Sequence, residues 1–317
     1  MSNTSNQLQK EIEQRQSASD KQTGQPVERK PLTKKDLTSD HPTWCPGCGD
    51  FSVLATFMRV LEKRQYHQEN IVTVSGIGCS SRFPYFIQTH GVHFIHGRSI
   101  PFATGVSLSR PDLHVFVFSG DGDAFSIGGN HFIHAARKNI RMTVVVMDNW
   151  VYGLTKKQTS PTSPQGYRSK TDTWGAIDKP LNPMKLAIAA GATFIARTSH
   201  ANPNHMIQMF EAALDHDGFG FIECLSECVE FFPGAFDASN PRKGGVFNLV
   251  PQNHNVEDEL AAYKLADQPF PGYFGIFYKT KRPSKNELES QVIAKAKENC
   301  KGLKDWQILQ RTFEKMK

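Results

Sequence analysis

The chain contains no run of about 18 consecutive apolar residues, the length a helix needs to cross a bilayer. Its N-terminus is polar and charged throughout, so neither a membrane span nor a signal peptide is expected, and a cytoplasmic protein is. Six cysteines in 317 residues fall short of a disulfide scaffold; in a cytosolic chain of this size they point first to ligands or catalysis. Charge is not gathered in one place, since the formal net charge of +6 comes partly from Lys and Arg at the two ends, such as Lys34, Lys35, Lys295 and Lys315. That is too diffuse to argue for nucleic acid, although a mild positive excess would help dock an acidic partner or an anionic substrate. A repeat of solenoid period is also missing.

What is present reads as one large α/β domain, which 38% apolar residues over this length suffice to fill. Residues 1–40 are rich in Gln, Ser, Lys, Glu and Thr, too polar to offset the entropy of ordering, and are expected as a disordered N-terminal arm. After the turn-rich Trp44-Cys45-Pro46-Gly47-Cys48-Gly49 come Phe51, Leu54, Phe57, Met58 and Leu61 at helical spacing, with Asp50 placed as an N-cap. Residues 71–74 form a β-branched run that ends in Gly76-Ile77-Gly78-Cys79, a buried strand feeding a tight loop. Residues 115–118, then Ser119-Gly120-Asp121-Gly122-Asp123, a helical stretch through Ala136, and residues 143–147 read as a parallel βαβ unit. The rhythm repeats with a helix over 184–190 stopped by Gly191, a strand over 192–196, a helix over 205–214 and a strand over 219–225. The fold expectation is therefore a doubly wound, mostly parallel α/β sheet. Beyond Phe231 the chain turns rich in Pro, Gly and Asn before a helix over 287–298, and residues 233–317 are expected as a C-terminal extension.

Gly120-Asp121-Gly122-Asp123 lies where a strand gives way to a helix, and Asp148-Asn149-Trp150-Val151 follows the next strand. In an open parallel sheet both ends reach the same carboxyl edge, so Asp121 and Asn149 can meet in a ligand crevice. A carboxylate, a carboxamide and diphosphate oxygens suit octahedral magnesium, while the glycines let the backbone approach phosphate. A lone Gly-Asp-Gly is more often a turn; paired with Asn149 across a βαβ unit it becomes specific. Asp123 either joins the phosphate site or caps the next helix.

Cys45 and Cys48 form a Cys-x-x-Cys knuckle, Cys79 closes a glycine-rich loop, and Cys224 and Cys228 stand at the end of a later strand. Four thiolates from separate loops can hold zinc or a 4Fe-4S cluster, and a thioredoxin-like redox pair is a third reading. The pairing of Asp121 with Asn149 resembles the thiamine-diphosphate motif, and beside such a site the cluster is favoured, because it accepts electrons singly and zinc has no redox role. Cys300 lies outside every motif.

Taken in order, the Trp44 to Gly49 knuckle, Gly76-Ile77-Gly78-Cys79-Ser80, His96-Gly97-Arg98, Gly120-Asp121-Gly122-Asp123 and Asp148-Asn149-Trp150-Val151-Tyr152-Gly153-Leu154-Thr155 resemble the beta subunit of two-subunit 2-oxoacid:ferredoxin oxidoreductases. The likeness runs from about Pro42 to about Phe232 and implies a thiamine-diphosphate and iron-sulfur domain over 41–232. It implies that Asp121, Asn149 and the Val151 carbonyl hold Mg2+, and that Gly120, Gly122, Asp123, Ser80, His96 and Arg98 border the cofactors. It also implies that Cys45, Cys48, Cys79 and Cys228 bind the 4Fe-4S cluster. Leu225-Ser226-Glu227-Cys228 departs from the family's Leu-Ser-Pro-Cys by one residue, which leaves Cys224 as the fallback ligand.

By the same resemblance Arg82 meets the 2-oxoacid, and an Arg there suits the second carboxylate of 2-oxoglutarate, although an ordinary salt-bridging Arg is the bland alternative. Leu154, Thr155 and Lys156 would border substrate and coenzyme A. An alpha subunit would supply the glutamate that activates thiamine, so this chain alone would be inactive, assembled as a dimer of alpha-beta pairs that reduce ferredoxin. Competing readings are the same machinery acting on pyruvate, a thiamine-dependent decarboxylase with structural zinc, and an electron-transfer module that has lost the cofactor.

Overall fold

A computed structural model describes residues 30–316. Seven strands form one sheet: β1 (Ile71–Ser75), β2 (His90–His93), β3 (His114–Gly120), β4 (Met142–Asp148), β5 (Phe194–Ser199), β6 (Phe219–Leu225) and β7 (Gly275–Lys279), in the spatial order β2-β1-β3-β4-β6-β5-β7. All neighbours run parallel except β5 and β7, which are antiparallel. The central strands are apolar on both sides because both faces are covered. Along β3, Val115 and Val117 enter one core while Phe116 and Phe118 enter the other, and Val144 and Val146 alternate with Val145 and Met147 along β4.

One core packs under α1 (Asp50–Arg64) and α6 (Pro203–Leu214), where Phe57 meets Phe83, Phe116, Phe118 and Phe210 edge-on. The other lies under α2 (Ser99–Ser109), α4 (Gly129–Arg137), α5 (Pro183–Ala189) and α7 (Glu259–Ala266). Two Asn-Pro pairs start helices in the same way: the side chains of Asn182 and Asn202 accept the amides of Lys185 and His205, with proline just inside the first turn. Between β3 and α4 runs the single-turn α3 (Asp121–Phe125), and two largely exposed helices, α8 (Lys285–Asn299) and α9 (Asp305–Lys315), end the described chain.

The chain winds from β1 outward to β2 and then back across to β3, so the sheet's order reverses between β1 and β3. The loops after β1, β3 and β4 therefore open at the carboxyl edge, the usual ligand crevice of such sheets.

Three expectations need correction. As far as residue 29 the expected arm lies outside the described residues, but Leu32 and Leu37 are buried against α1, and Thr38 bridges Ile87, so two leucines suffice to seat residues that composition alone reads as polar. The expected extension over 233–317 is partly woven into the domain: β7 completes the sheet, and Ala262, Ala266 and Phe277 join its core. Asp50 is the first residue of α1 rather than its cap, and its carboxylate accepts the Ser226 hydroxyl at 2.6 Å.

Candidate active site

A cavity of about 500 Å³ opens at the carboxyl edge, with a wall that includes Ile77, Cys79, Ser80, His96, Gly120, Asp121, Gly122, Asp123, Asn149, Val151, Tyr152 and Leu154. β3 and β4 deliver its polar floor. The backbone N–H of Asn149 points at the Asp121 carboxylate, which also accepts the Thr162 hydroxyl at 2.8 Å. Thr162 stands equally 2.8 Å from Asp148, so one hydroxyl sits between two buried carboxylates. Burial pushes Asp121 upward against the pull of Ser160 and Thr162, and Asp148 goes well above its ordinary range through burial and the nearby Asp121 charge. A divalent cation at this edge would reverse the penalty on Asp121. Asn149 already accepts the Val151 amide at 3.1 Å, which turns the backbone so that Val151 is buried in the same wall. Carboxylate, carboxamide and peptide carbonyl are the hard oxygen donors that magnesium takes.

Glycine at 122 is a matter of contact. A Cβ there would lie 2.1 Å from Tyr152 Cε1, so the aromatic ring rests directly on the Gly-Asp-Gly turn. Asp123 does not cap α3; on the cavity wall, its Oδ1 accepts the amides of Ile77 and Gly97 at 3.0 and 2.7 Å, and its Oδ2 accepts Ser119 Oγ at 2.5 Å. His96 Nδ1 lies 3.0 Å from the same Oδ1. Asp123 thus fastens the loops after β1 and β2 to the Gly-Asp-Gly turn.

The cysteines sit beside this floor. A Cβ on Gly153 would lie 3.5 Å from Cys79 Sγ, 3.6 Å from Cys228 Sγ and 3.9 Å from Asn149 Nδ2, so two thiols and the expected metal ligand border one small space. Cys48 is raised by burial, by Asp50, and further by Cys79 and Cys228. Cys79 is pushed up to about 12 by burial and Asp50, with Cys228 and Cys45 adding to it. Cys228 is raised by burial, offset by the backbone amides of Phe231, Glu230 and Phe232 aimed at its sulfur. Cys48 and Cys79, whose ionisation the neighbouring thiols oppose, are the kind of ligand that a cationic iron-sulfur core would stabilise as thiolate. Among the described residues no three of His, Cys, Asp or Glu stand close enough to share one ion, so the thiols form a spread constellation rather than a tight knot. Trp44 Nε1 donates to the Cys79 carbonyl at 2.7 Å and joins the knuckle to that loop. Cys224 faces the other way, buried 3.9 Å from Met206 Sδ in the core under α6.

The pattern is shared. A family model for the C-terminal TPP binding domain of thiamine pyrophosphate enzymes matches residues 76–224. The 2-oxoglutarate oxidoreductase subunit KorB of Mycobacterium tuberculosis is 48% identical over 219 residues, 69% of this chain and 59% of that protein. The 2-oxoglutarate synthase subunit KorB of Methanothermobacter marburgensis is 46% identical over 238 residues, 72% of this chain and 84% of that protein. A solved 2-oxoglutarate:ferredoxin oxidoreductase from Magnetococcus marinus, with 2-oxoglutarate, coenzyme A and succinyl-CoA bound, matches with a TM-score of 0.81 and 35% identity, over 90% of this chain and 97% of that one. The chain belongs to the beta-subunit family of 2-oxoacid:ferredoxin oxidoreductases. The match spans less than two thirds of the Mycobacterium protein's length.

Within this 2-oxoacid:ferredoxin oxidoreductase fold, Arg82, Arg98 and Lys156 stand outside the cavity wall, as do the thiols of Cys45, Cys48 and Cys228 beside it. Arg82 holds the carbonyl and hydroxyl of Thr43 and lies over the Phe86 ring, although its charge reaches Cys79. Arg98 is engaged by His131 Nε2 at 2.9 Å and by the Ile127 carbonyl. Lys156 is exposed at a turn where Lys156 and Lys157 take φ of +70° and +75°, a left-handed pair that leaves Leu154 on the wall and turns Lys156 outward. Sequence reading missed Tyr152, Gln158, Thr159 and Thr171 on the wall, and Thr162 behind it. Tyr152 was available from its place in the Asp148 to Thr155 motif; the threonines belong to a turn-rich stretch with no periodicity to single them out. Among the described residues no helix is long and apolar enough to cross a membrane.

Proposed function

We propose that the chain is the cofactor-holding beta subunit of a 2-oxoglutarate:ferredoxin oxidoreductase, acting with an alpha subunit in the cytoplasm. The reaction takes 2-oxoglutarate and coenzyme A to succinyl-CoA and carbon dioxide and passes two electrons, singly, to ferredoxin, or runs in reverse. One observation carries this reading: Cys79, Cys228 and Asn149 border a single space on the wall that holds Asp121, so a redox cluster and a diphosphate-bound metal would be neighbours. Zinc would leave electrons no acceptor there.

Bound thiamine diphosphate supplies the chemistry that cleaves the carboxyl carbon, and a 4Fe-4S cluster supplies the electron sink. The chain's own residues bind and orient. Asp121, Asn149 and the Val151 carbonyl would hold Mg2+, with Gly120 and Gly122 letting backbone approach the diphosphate. Cys45, Cys48, Cys79 and Cys228 would hold the cluster, with Ser80 next to Cys79 on the cavity wall. Tyr152, Ile77 and Leu154 would give the bound cofactor an apolar wall. Arg82, once released from Thr43, is the cation assigned to the distal carboxylate of 2-oxoglutarate, and Lys156 at the loop tip is assigned to an anionic group of coenzyme A. Arg82's engagement with Thr43 also favours a second reading, a site open to pyruvate and other 2-oxoacids.

The test is anaerobic reconstitution with the alpha subunit, scoring iron, sulfide, thiamine diphosphate and turnover of each 2-oxoacid with a low-potential acceptor. Cys228→Ser should lose the cluster and Cys224→Ser should keep it. Colourless protein with stoichiometric zinc would refute the redox reading. An Arg82→Ala variant with unchanged KM for 2-oxoglutarate would remove the reason for preferring that acid.

A further inference from the structure

Glu227, between β6 and Cys228, is a carboxylate that neither the phosphate floor nor the thiols account for. It is only 6% exposed. Its Oε1 accepts the Gly234 amide at 2.7 Å, Lys243 Nζ stands 3.4 Å from both oxygens, and His200 Nε2 lies 3.9 Å from Oε2. Lys243 is itself held by Asp237 at 2.7 Å. A buried carboxylate with partners of this kind is tolerated rather than costly, but that does not say why one is built here.

The loop it spans gives the reason. Between Glu227 and Gly234 the chain makes a short excursion that carries Cys228 on its first turn. Inside the excursion, Phe232 N–H closes onto the Cys228 carbonyl at 3.0 Å. The Glu227 to Gly234 contact bridges the excursion from end to end. The Glu227 carbonyl also accepts the Gly49 amide at 3.1 Å, one residue past Cys48, so the same residue joins the knuckle to the Cys228 loop. A thiol carried on a short loop keeps its direction and its cover only while that loop stays closed.

We propose that Glu227 is a positioning residue for Cys228: its carboxylate clamps the loop over residues 228–233 shut, through Gly234 and Lys243, and so fixes the direction of that sulfur and keeps it half-buried. The proposal rests on the reading of Cys228 as a cluster ligand and extends it to a residue that replaces proline in the family's Leu-Ser-Pro-Cys pattern. Groups that orient a metal's ligands typically change metal retention 10- to 100-fold, roughly, when removed.

The experiment uses the full chain, with its alpha subunit for the iron assay, and the variants Glu227→Ala, Glu227→Gln and Lys243→Ala. Iron release to a ferrous chelator should be about tenfold faster in Glu227→Ala. Glu227→Gln retains an acceptor for the Gly234 amide and should stay near the wild-type rate, a rescue that loss of general stability would not produce. In the cluster-free chain, iodoacetamide labelling followed peptide by peptide should accelerate at Cys228 relative to Cys45 in the alanine variant. If Glu227→Ala does not fold, Lys243→Ala, altered at a side chain 43% exposed, opens the same clamp from outside and should accelerate both readouts. Unchanged iron release together with unchanged Cys228 labelling overturns the proposal, and so does a glutamine variant as leaky as alanine. Wild-type chain that takes up no iron, with labelling that responds as expected, sinks the cluster reading while the clamp stands.

Discussion

Gly122→Ala tests the contact on which the phosphate turn is built. A methyl added there would stand 2.1 Å from Tyr152 Cε1 and 2.6 Å from Cζ, whereas carbon atoms settle at about 3.5–4.0 Å. The ring must therefore retreat by roughly 1.5 Å. Its backbone cannot follow, because the Tyr152 amide is held by the Gln158 carbonyl and the Lys157 amide by the Tyr152 carbonyl, each at 3.0 Å. The ring can only swing into the cavity that it lines, where the thiazolium and diphosphate are expected. Overpacking of this kind costs about 1–3 kcal/mol. If the filled cavity bears the whole cost, thiamine diphosphate should bind roughly 5- to 150-fold more weakly. Isothermal titration of the reconstituted pair with thiamine diphosphate and Mg2+ measures this directly. Gly122→Ala combined with Tyr152→Leu should recover most of the loss, since the two changes share one contact. Unchanged affinity in the single variant, or no recovery in the double, would refute the argument.

Thr162→Val removes the hydroxyl between Asp121 and Asp148 and leaves two buried carboxylates facing each other; Mg2+-dependent cofactor affinity should fall about tenfold, read by the same titration. Trp44→Phe keeps the edge contacts with Phe51 and Phe86 but loses the 2.7 Å bond to the Cys79 carbonyl, so urea unfolding should report a loss of about 1 kcal/mol. Burial pushes His205 from 6.5 down to about 4. The unfolded chain therefore binds this proton first, so His205 contributes stability that is complete above pH 6.5 and drains away as pH falls towards 4, by about 3 kcal/mol. His205→Gln should flatten that part of the acid limb in denaturation curves taken across pH 4–8, and an unaltered slope would remove His205 from the account.

The parts of this fold that could be read from the chain were those with a physical period. The strands 71–75, 114–120, 142–148 and 219–225 are apolar on both faces and lie near their expected bounds, because a strand buried on both sides needs that composition. β2 and β7 went unread: β2 is a half-exposed edge strand, and β7 is an edge strand whose antiparallel pairing no local pattern announces. Residues 30–40 misled for the reverse reason, since two leucines among polar neighbours are enough to dock a segment when a hydrophobic groove already exists.

The sequence by itself determined which chemistry is available, namely Asp121 and Asn149 at two successive strand ends and the thiols of Cys45, Cys48, Cys79 and Cys228, because motif spacing records what a strand-loop-helix unit must present. Strand alternation even explains why Cys224, on the face of Ile222, points into the core under α6. Tertiary structure alone decided where side chains beyond the strands are aimed. Arg82 holds Thr43, Arg98 is engaged by His131, Asp123 ties loops together, and Glu227 closes the turn after the last thiol. These outcomes depend on which partners distant segments bring within about 3 Å, and no local period encodes that.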